Sequence, residues 1–187
     1  MAPIVHLVRH AQGFHNLCKE NEVIHDPLLT PAGKAQCGTL HYRFPHHASV
    51  DLVVSSPIRR TLYTSLLGFE EEIKKKSLKV LALPELQETS ELPCDTGSAP
   101  EDLAKEFANE PVDLHLVHHG WNVKTGKWAP DQEAIAERAR IAREWLRNRH
   151  EKEIVVVTHG SFRTCLGAAA ATAFATAFSL ALANSFA

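Results

Sequence analysis

Cysteine is scarce in this chain, and what there is lies scattered. Cys18, Cys37, Cys94 and Cys165 form no C-x-x-C pair and no zinc-type spacing with histidine, so no structural metal is expected. An excess of charge is missing too. The formal net charge is −2 over 187 residues, which offers no basic field for nucleic acid. The first residues lack a basic segment followed by a long apolar one, so reduced thiols and a cytoplasmic location are the expectation. Internal repeats and linker-like stretches are absent as well. With 44% hydrophobic and 22% charged residues, the chain suits one globular domain with a sizeable core.

One region lacks charge altogether. From Thr164 to Ala187 there is no acidic or basic residue, and alanine dominates. Phe174, Phe178, Leu182 and Phe186 have helical spacing, while Thr172 to Leu182 also alternate as on a strand. Alanine favours helix up to about Ala171. A membrane anchor is the less favoured reading, because alanine and threonine give little insertion energy. Residues 166–187 are therefore read as an atypical tail on a single domain spanning 1–187, and no function is rested on them.

What is present is an alternation of short apolar runs with helical patterns. Residues 3–8, Val50–Ser55, Leu78–Leu83 and Ile154–Thr158 read as strands. Thr30 and Pro31 announce a helix to about Phe44. Ser56-Pro57 looks like a second cap-and-proline start, with a helix continuing to about Ile73 and ending in solvated Lys74-Lys75-Lys76. Ser98 and Glu101 have capping-box spacing for a helix within 99–109, and 110–130 reads as a long loop. Ile135, Ala139, Ala142, Trp145 and Leu146 define the buried face of a helix over 131–149. Arg138, Arg140, Arg143, Arg147 and Arg149 are assigned to its solvent side. A last helix is expected near Ser161. Strands alternating with helices predict an α/β three-layer sandwich, with a mostly parallel sheet and helices on both faces.

Polar groups follow each apolar run. Arg9-His10 ends the first, Ser55-Ser56-Pro57-Ile58-Arg59-Arg60 follows the second, Leu86-Gln87-Glu88 follows the third, and Thr158-His159-Gly160 ends the last. In a parallel sheet the carboxyl ends of the strands share one edge, so these groups can meet in one crevice. Histidines, arginines and a glutamate together fit a dianionic phosphate, a nucleophile and a proton donor. The chain has 12 histidines, so several must be incidental. His6 reads as a hydrogen-bonded core residue, His46-His47 and His118-His119 as surface composition rather than metal ligands, and His15 and 118–121 as candidates for the pocket lining.

The ordered set of motifs resembles the histidine phosphatase superfamily, the phosphoglycerate-mutase-like group, over roughly residues 3–166. The motifs are R-H with Asn16 six residues after His10, D-P-x-L-T-x-x-G at Asp26–Gly33, S-S-P-x-x-R at Ser55–Arg60, L-x-E at Leu86–Glu88 and T-H-G at Thr158–Gly160. The wording around Pro93-Cys94-Asp95-Thr96-Gly97 is similar to fungal phosphoglycerate-mutase-like phosphatases. The resemblance implies His10 as the nucleophile that becomes phosphorylated, Glu88 as proton donor to the leaving group, and Arg9, Arg60 and His159 as catalytic groups that bind the phosphoryl. Asn16, Gln12 and Gly160 complete the expected phosphate and substrate contacts. Arg59 occupies a variable position facing substrate or solvent. Glu85, Glu91 and Asp95 lie close enough in sequence to Glu88 to compete for its role.

The implied activity is metal-independent phosphomonoester hydrolysis through phosphohistidine, with no cofactor. The partner is a small phosphorylated metabolite or phosphate. Neither nucleic acid nor a membrane is expected, and a homodimer is left open. Two alternatives stand beside it: a phosphoglycerate-mutase-type phosphotransferase and a non-catalytic phosphate-binding protein. Where the group commonly has R-H-G-E, this chain has Ala11 and Gln12, which makes the rim less negative. The stretch between Glu88 and His159 is of moderate length. Both departures favour hydrolysis over mutase chemistry.

Overall fold

A computed structural model describes residues 2–168. The questions raised by the alanine-rich tail beyond Ala168 lie outside the described residues. The apolar runs do form strands: β1 (Ile4–Arg9), β2 (Leu52–Ser55), β3 (Val80–Ala82) and β5 (Glu153–Thr158), with a two-residue edge strand β4 (Val112–Asp113) inside the stretch read as loop. All pairings are parallel, in the order β1-β5-β2-β3-β4. β5 therefore lies between β1 and β2, although it is last in sequence.

Its central position explains its sequence. Ile154, Val155, Val156 and Val157 are all fully buried, because both faces of a parallel sheet are covered. Successive side chains alternate between faces. Val155 and Val157 join a core with α1 (Pro31–Arg43), α2 (Arg59–Gly68), α3 (Glu70–Lys76) and α4 (Pro100–Glu106). Ile154 and Val156 join a core with α5 (Gln132–Arg147) and α6 (Gly160–Ala168). This is the expected three-layer α/β sandwich. Burial of each such aliphatic side chain is worth about 2 kcal/mol, so the two cores dominate the driving force.

Three local expectations are corrected. The helix after β2 begins at Arg59 rather than at Ser56-Pro57. The Asp26 carboxylate arrives from a distant loop and accepts the Arg59 N–H at 2.9 Å, so Ser56 is not needed as a cap. That helix also does not run through to Ile73. It breaks at Phe69, whose ring packs edge-on against Phe44 with centroids 5.3 Å apart. Finally, Ser98 caps no helix: Ala99 is the N-cap of α4, and the Ser98 N–H and hydroxyl both donate to Asp26 Oδ2, at 2.8 and 2.7 Å.

The solvent-face assignment of the α5 arginines holds for Arg140, which is exposed and paired with Glu137 and Glu144. It fails for Arg138, which is only 1% exposed. Its guanidinium reaches past α5 and donates to the carbonyls of Gln87 at 2.9 Å, Glu85 at 3.3 Å and Glu88 at 3.4 Å. These carbonyls belong to an irregular segment with no ladder partner, and the arginine satisfies them.

Candidate active site

The strand ends converge at one edge, as expected. Thr30 caps α1 by accepting the Gly33 N–H at 2.9 Å, and its hydroxyl donates to Gln12 Oε1 at 2.8 Å. Gln12 is further held by a bond from its N–H to Gln36 Oε1 at 2.8 Å. A Cβ on Gly33 would sit 2.1 Å from the Gln12 carbonyl oxygen, so only glycine lets α1 approach the loop after β1 this closely. The D-P-x-L-T-x-x-G motif is thus a clamp on the segment that carries His10. Gln12 is tied into that clamp through its backbone N–H and its Oε1. Asn16 is exposed, and its Oδ1 accepts the Gly13 N–H at 3.0 Å, fixing the same loop.

His10 is buried at the end of β1. Its Nδ1 lies 2.7 Å from the Ala11 carbonyl oxygen and must carry the ring proton to bond there. The lone pair is then on Nε2, which faces the Arg60 Nε–H at 3.2 Å. Arg60 is fully buried. It also donates to the Cys94 carbonyl, to Asp95 Oδ1 at 2.9 Å and to His159 Nδ1 at 3.1 Å. The other nitrogen of His159 bonds with Ser56 Oγ at 2.9 Å. The His10 and His159 ring centroids lie 5.2 Å apart, and those of His10 and His15 5.5 Å apart.

Burial, then the Arg60 charge, push the His10 and His159 pKa values well below the ordinary histidine range. Burial and Arg60 push His15 down to about 4. All three imidazoles are neutral at pH 7. Glu88, 9% exposed, moves the opposite way, because burial raises its carboxyl pKa. One oxygen accepts the N–H of Thr89 at 2.9 Å, which offsets only part of that shift.

Arg9 ends β1 with its side chain exposed, and its guanidinium lies along Gly160, where a Cβ would come within 3.3 Å of Nε. Arg59, a partly exposed side chain, pairs with Glu106: its Nε lies 2.7 Å from Oε2 and its terminal nitrogen donates to Oε1 at 3.0 Å. His118 and His119 are exposed, and His119 pairs with Glu101 at 2.8 Å. Trp121 is buried in the core and fills the space beside Gly97, where a Cβ would meet its ring at 2.1 Å.

Three residues of the edge escaped the sequence reading. Asp95, regarded there only as a competitor of Glu88, is the carboxylate that faces Arg60, and Ser90 Oγ donates to it at 2.6 Å. Lys124, from the long stretch before α5, donates to Gln87 Oε1 at 2.8 Å and to the Glu88 carbonyl at 3.2 Å. Burial, then the charge of Arg138, bring its pKa down to about 8. Arg138 itself sets the backbone around Glu88 from beneath. Only the Asp95 signal was legible, as the acid of P-C-D-T-G; Lys124 and Arg138 lie in no motif.

Comparison with known proteins decides the family. The family model described as histidine phosphatase superfamily (branch 1) matches residues 5–185. This chain belongs to the histidine phosphatase superfamily. A Schizosaccharomyces pombe protein named probable phosphatase is 32% identical over 161 residues, covering 83% of this chain and 73% of its own length. Two solved structures share the fold at low identity. An ecdysone phosphate phosphatase from Bombix mori, in complex with tungstate, has a TM-score of 0.60 at 17% identity, covering 87% of this chain and 75% of its own. A putative alpha-ribazole-5'-P phosphatase from Escherichia coli has a TM-score of 0.58 at 22% identity, covering 91% and 80%. The chain is a phosphatase of this superfamily, and no described helix is long and apolar enough to cross a membrane.

Proposed function

We propose that this phosphatase hydrolyses small phosphomonoesters in two displacements, with His10 as the phosphorylated nucleophile. The observation that carries the proposal is the tautomer of His10: Nδ1–H is committed to the Ala11 carbonyl, and a neutral Nε2 lone pair is directed at the cation-rich crevice. In the first displacement Nε2 attacks phosphorus while the bond to the ester oxygen breaks. Glu88, whose carboxyl pKa burial raises, supplies the proton to that oxygen. In the second, the Glu88 carboxylate takes a proton from water, the water oxygen attacks phosphorus, and Nε2 leaves. Arg60 and Arg9 neutralise the equatorial oxygens, with Lys124 beside Glu88.

Arg60 has a double part in this scheme. Without a ligand its Nε–H caps the nucleophile; with one, the same donor turns to a phosphoryl oxygen and frees Nε2. His159 and Asp95 orient Arg60 through its terminal nitrogens. Gln12 and Asn16 act on the loop of His10, and Gly160 makes room for Arg9. The proposal includes a cytoplasmic setting, in keeping with four cysteines that are all free thiols.

Trapping tests the reading. With a labelled phosphomonoester, acid-labile label should appear on His10 and pass to water. Passage of label from His10 to a sugar acid would establish the phosphotransferase instead. Failure to hydrolyse an activated aryl phosphate from acid to neutral pH would leave only phosphate binding.

A further inference from the structure

At the opposite edge of the sheet, three side chains meet that the phosphatase reaction does not use. His41 lies in the last turn of α1, His47 in the loop before β2, and Glu72 in α3. Each offers one potential ligand atom, and these atoms lie within 4.8 Å of one another. The imidazole centroids are 5.1 Å apart. The group borders a cleft of about 400 Å³ that also reaches Glu71, Lys75 and Lys76.

The hydrogen bonds leave the inward-facing atoms unpaired. His47 Nε2 bonds to the His41 carbonyl, which fixes the ring proton on Nε2 and the lone pair on Nδ1. That Nδ1 is buried without a hydrogen-bond partner, although Glu72 Oε1 lies only 3.0 Å away. With a neutral ring, two acceptors face each other there. His41 repeats the pattern: Nε2 is directed at the Glu71 carboxylate at 3.4 Å, and Nδ1 is buried and unpartnered. Glu72 is only 5% exposed, and its Oε2 is likewise without a partner. The neighbouring lysines do not answer it. Lys75 bonds Glu71, and Lys76 donates to the carbonyls of Ala48 and Val50. Buried acceptors gathered in one cluster are costly unless a donor or a cation joins them.

We propose that His41, His47 and Glu72 form a binding site for a borderline divalent transition cation, with Zn²⁺ the best fit. Two neutral imidazoles and one carboxylate match zinc, whereas Mg²⁺ and Ca²⁺ prefer oxygen donors. The outer bonds to a carbonyl and a carboxylate are those that orient metal-ligating histidines. The small inward shift needed to close the site is available to side chains lining an open cleft. The cation ties the end of α1, the loop before β2 and α3 together. Its role is structural, because the reaction edge lies at the other end of the strands. The reading of His46-His47 as mere surface composition is thereby revised for His47: its partners come from two helices, one of them far along the chain.

The test uses tag-free full-length protein freed of metal with chelator. Calorimetric titration with Zn²⁺ should show one saturable site and a raised melting temperature, and Co²⁺ should give the visible absorption of a tetrahedral N/O centre. His47→Gln and Glu72→Gln, checked for wild-type circular dichroism, should weaken binding at least about 100-fold and leave kcat/KM unchanged. Metal-free Glu72→Gln should melt no lower than metal-free wild type, since the amide can donate where the carboxylate cannot. Undiminished binding in both variants would locate the metal on other histidines and overturn the proposal. No saturable binding up to millimolar Zn²⁺, with Glu72→Gln melting lower, would show an ordinary His47–Glu72 ion pair instead.

Discussion

The two edges of the sheet both gather histidines, and they treat them in opposite ways. At the carboxyl edge His10, His15 and His159 sit among Arg9, Arg60 and Lys124. At the amino edge His6 and His46 both approach Glu153, at 2.8 and 3.7 Å, His41 faces Glu71, and His47 faces Glu72. One edge is cations with one buried acid, Asp95, against Arg60, and a second, Glu88, with a raised pKa. The other is four imidazoles facing three carboxylates. The difference shows how a single residue type acquires its chemistry. Burial beside guanidinium groups keeps imidazole neutral and nucleophilic, fit to receive an anion, while imidazoles set among carboxylates are fit to receive a cation.

The contrast is most sharply tested by removing the central group at each edge. His10→Ala should lower turnover by at least about 10⁴-fold, whereas His47→Gln should leave it unchanged; a steady-state assay on an aryl phosphate reads both. If both variants lose activity, the edges are not independent.

Next in size is Glu88→Gln. On alkyl phosphates, which have poor leaving groups, kcat should fall about 10²- to 10³-fold, and on activated aryl phosphates much less. The raised Glu88 pKa also places the alkaline limb of the rate profile above the ordinary carboxylate range: activity declines as pH rises through it, and the variant should lose that limb. Equal losses on both substrates would take Glu88 out of the acid role.

Asp95→Ala should destabilise the fold by about 3 kcal/mol in urea, because it leaves the buried Arg60 guanidinium facing its neighbours unpaired. Arg138→Met should cost about 2 kcal/mol by abandoning the carbonyls of Gln87 and Glu88. It should also displace Glu88, so its kcat loss should follow leaving-group quality as Glu88→Gln does. A uniform loss would mean that Arg138 serves packing only.

The last effect is graded with pH. The lowered pKa values of His10, His15 and His159 mean that below about 6.5 the unfolded chain takes up protons that the native state does not. Their contribution is present above that pH and is lost as pH falls toward the folded values, about 4 for His15. Each group adds a slope of at most about 1.4 kcal/mol per pH unit. Melting temperatures from pH 7 to 4 should therefore fall less steeply for His15→Asn than for wild type.

Much of this was legible because it is local. Ile154–Val157 reads as a doubly covered strand from its composition, and Thr30-Pro31 with Gly33 announces a capped helix whose glycine the structure explains by contact with Gln12. Arg9, His10, Arg60, Glu88 and His159 each end or follow an apolar run, and the family resemblance separated Arg60 from Arg59 and Glu88 from its neighbouring carboxylates. The misses share a cause. Ser56-Pro57 and Ser98 look like caps, yet Asp26, from far along the chain, takes the first place and binds the Ser98 side chain away from the second. Arg138 shares its helix with the exposed Arg140 and Arg147, and the carbonyls that bury it belong to another segment.

By itself, then, the sequence determined the layered α/β architecture and the order of groups at the strand ends, since periodicity and capping act over a few residues. Tertiary structure alone decided which groups meet. It put β5 between β1 and β2, drew Asp95 onto Arg60 and Lys124 beside Glu88, and turned His41, His47 and Glu72 inward together. The physical reason is that charge pairing, desolvation and tautomer choice depend on distances of a few ångströms between residues that the chain keeps far apart.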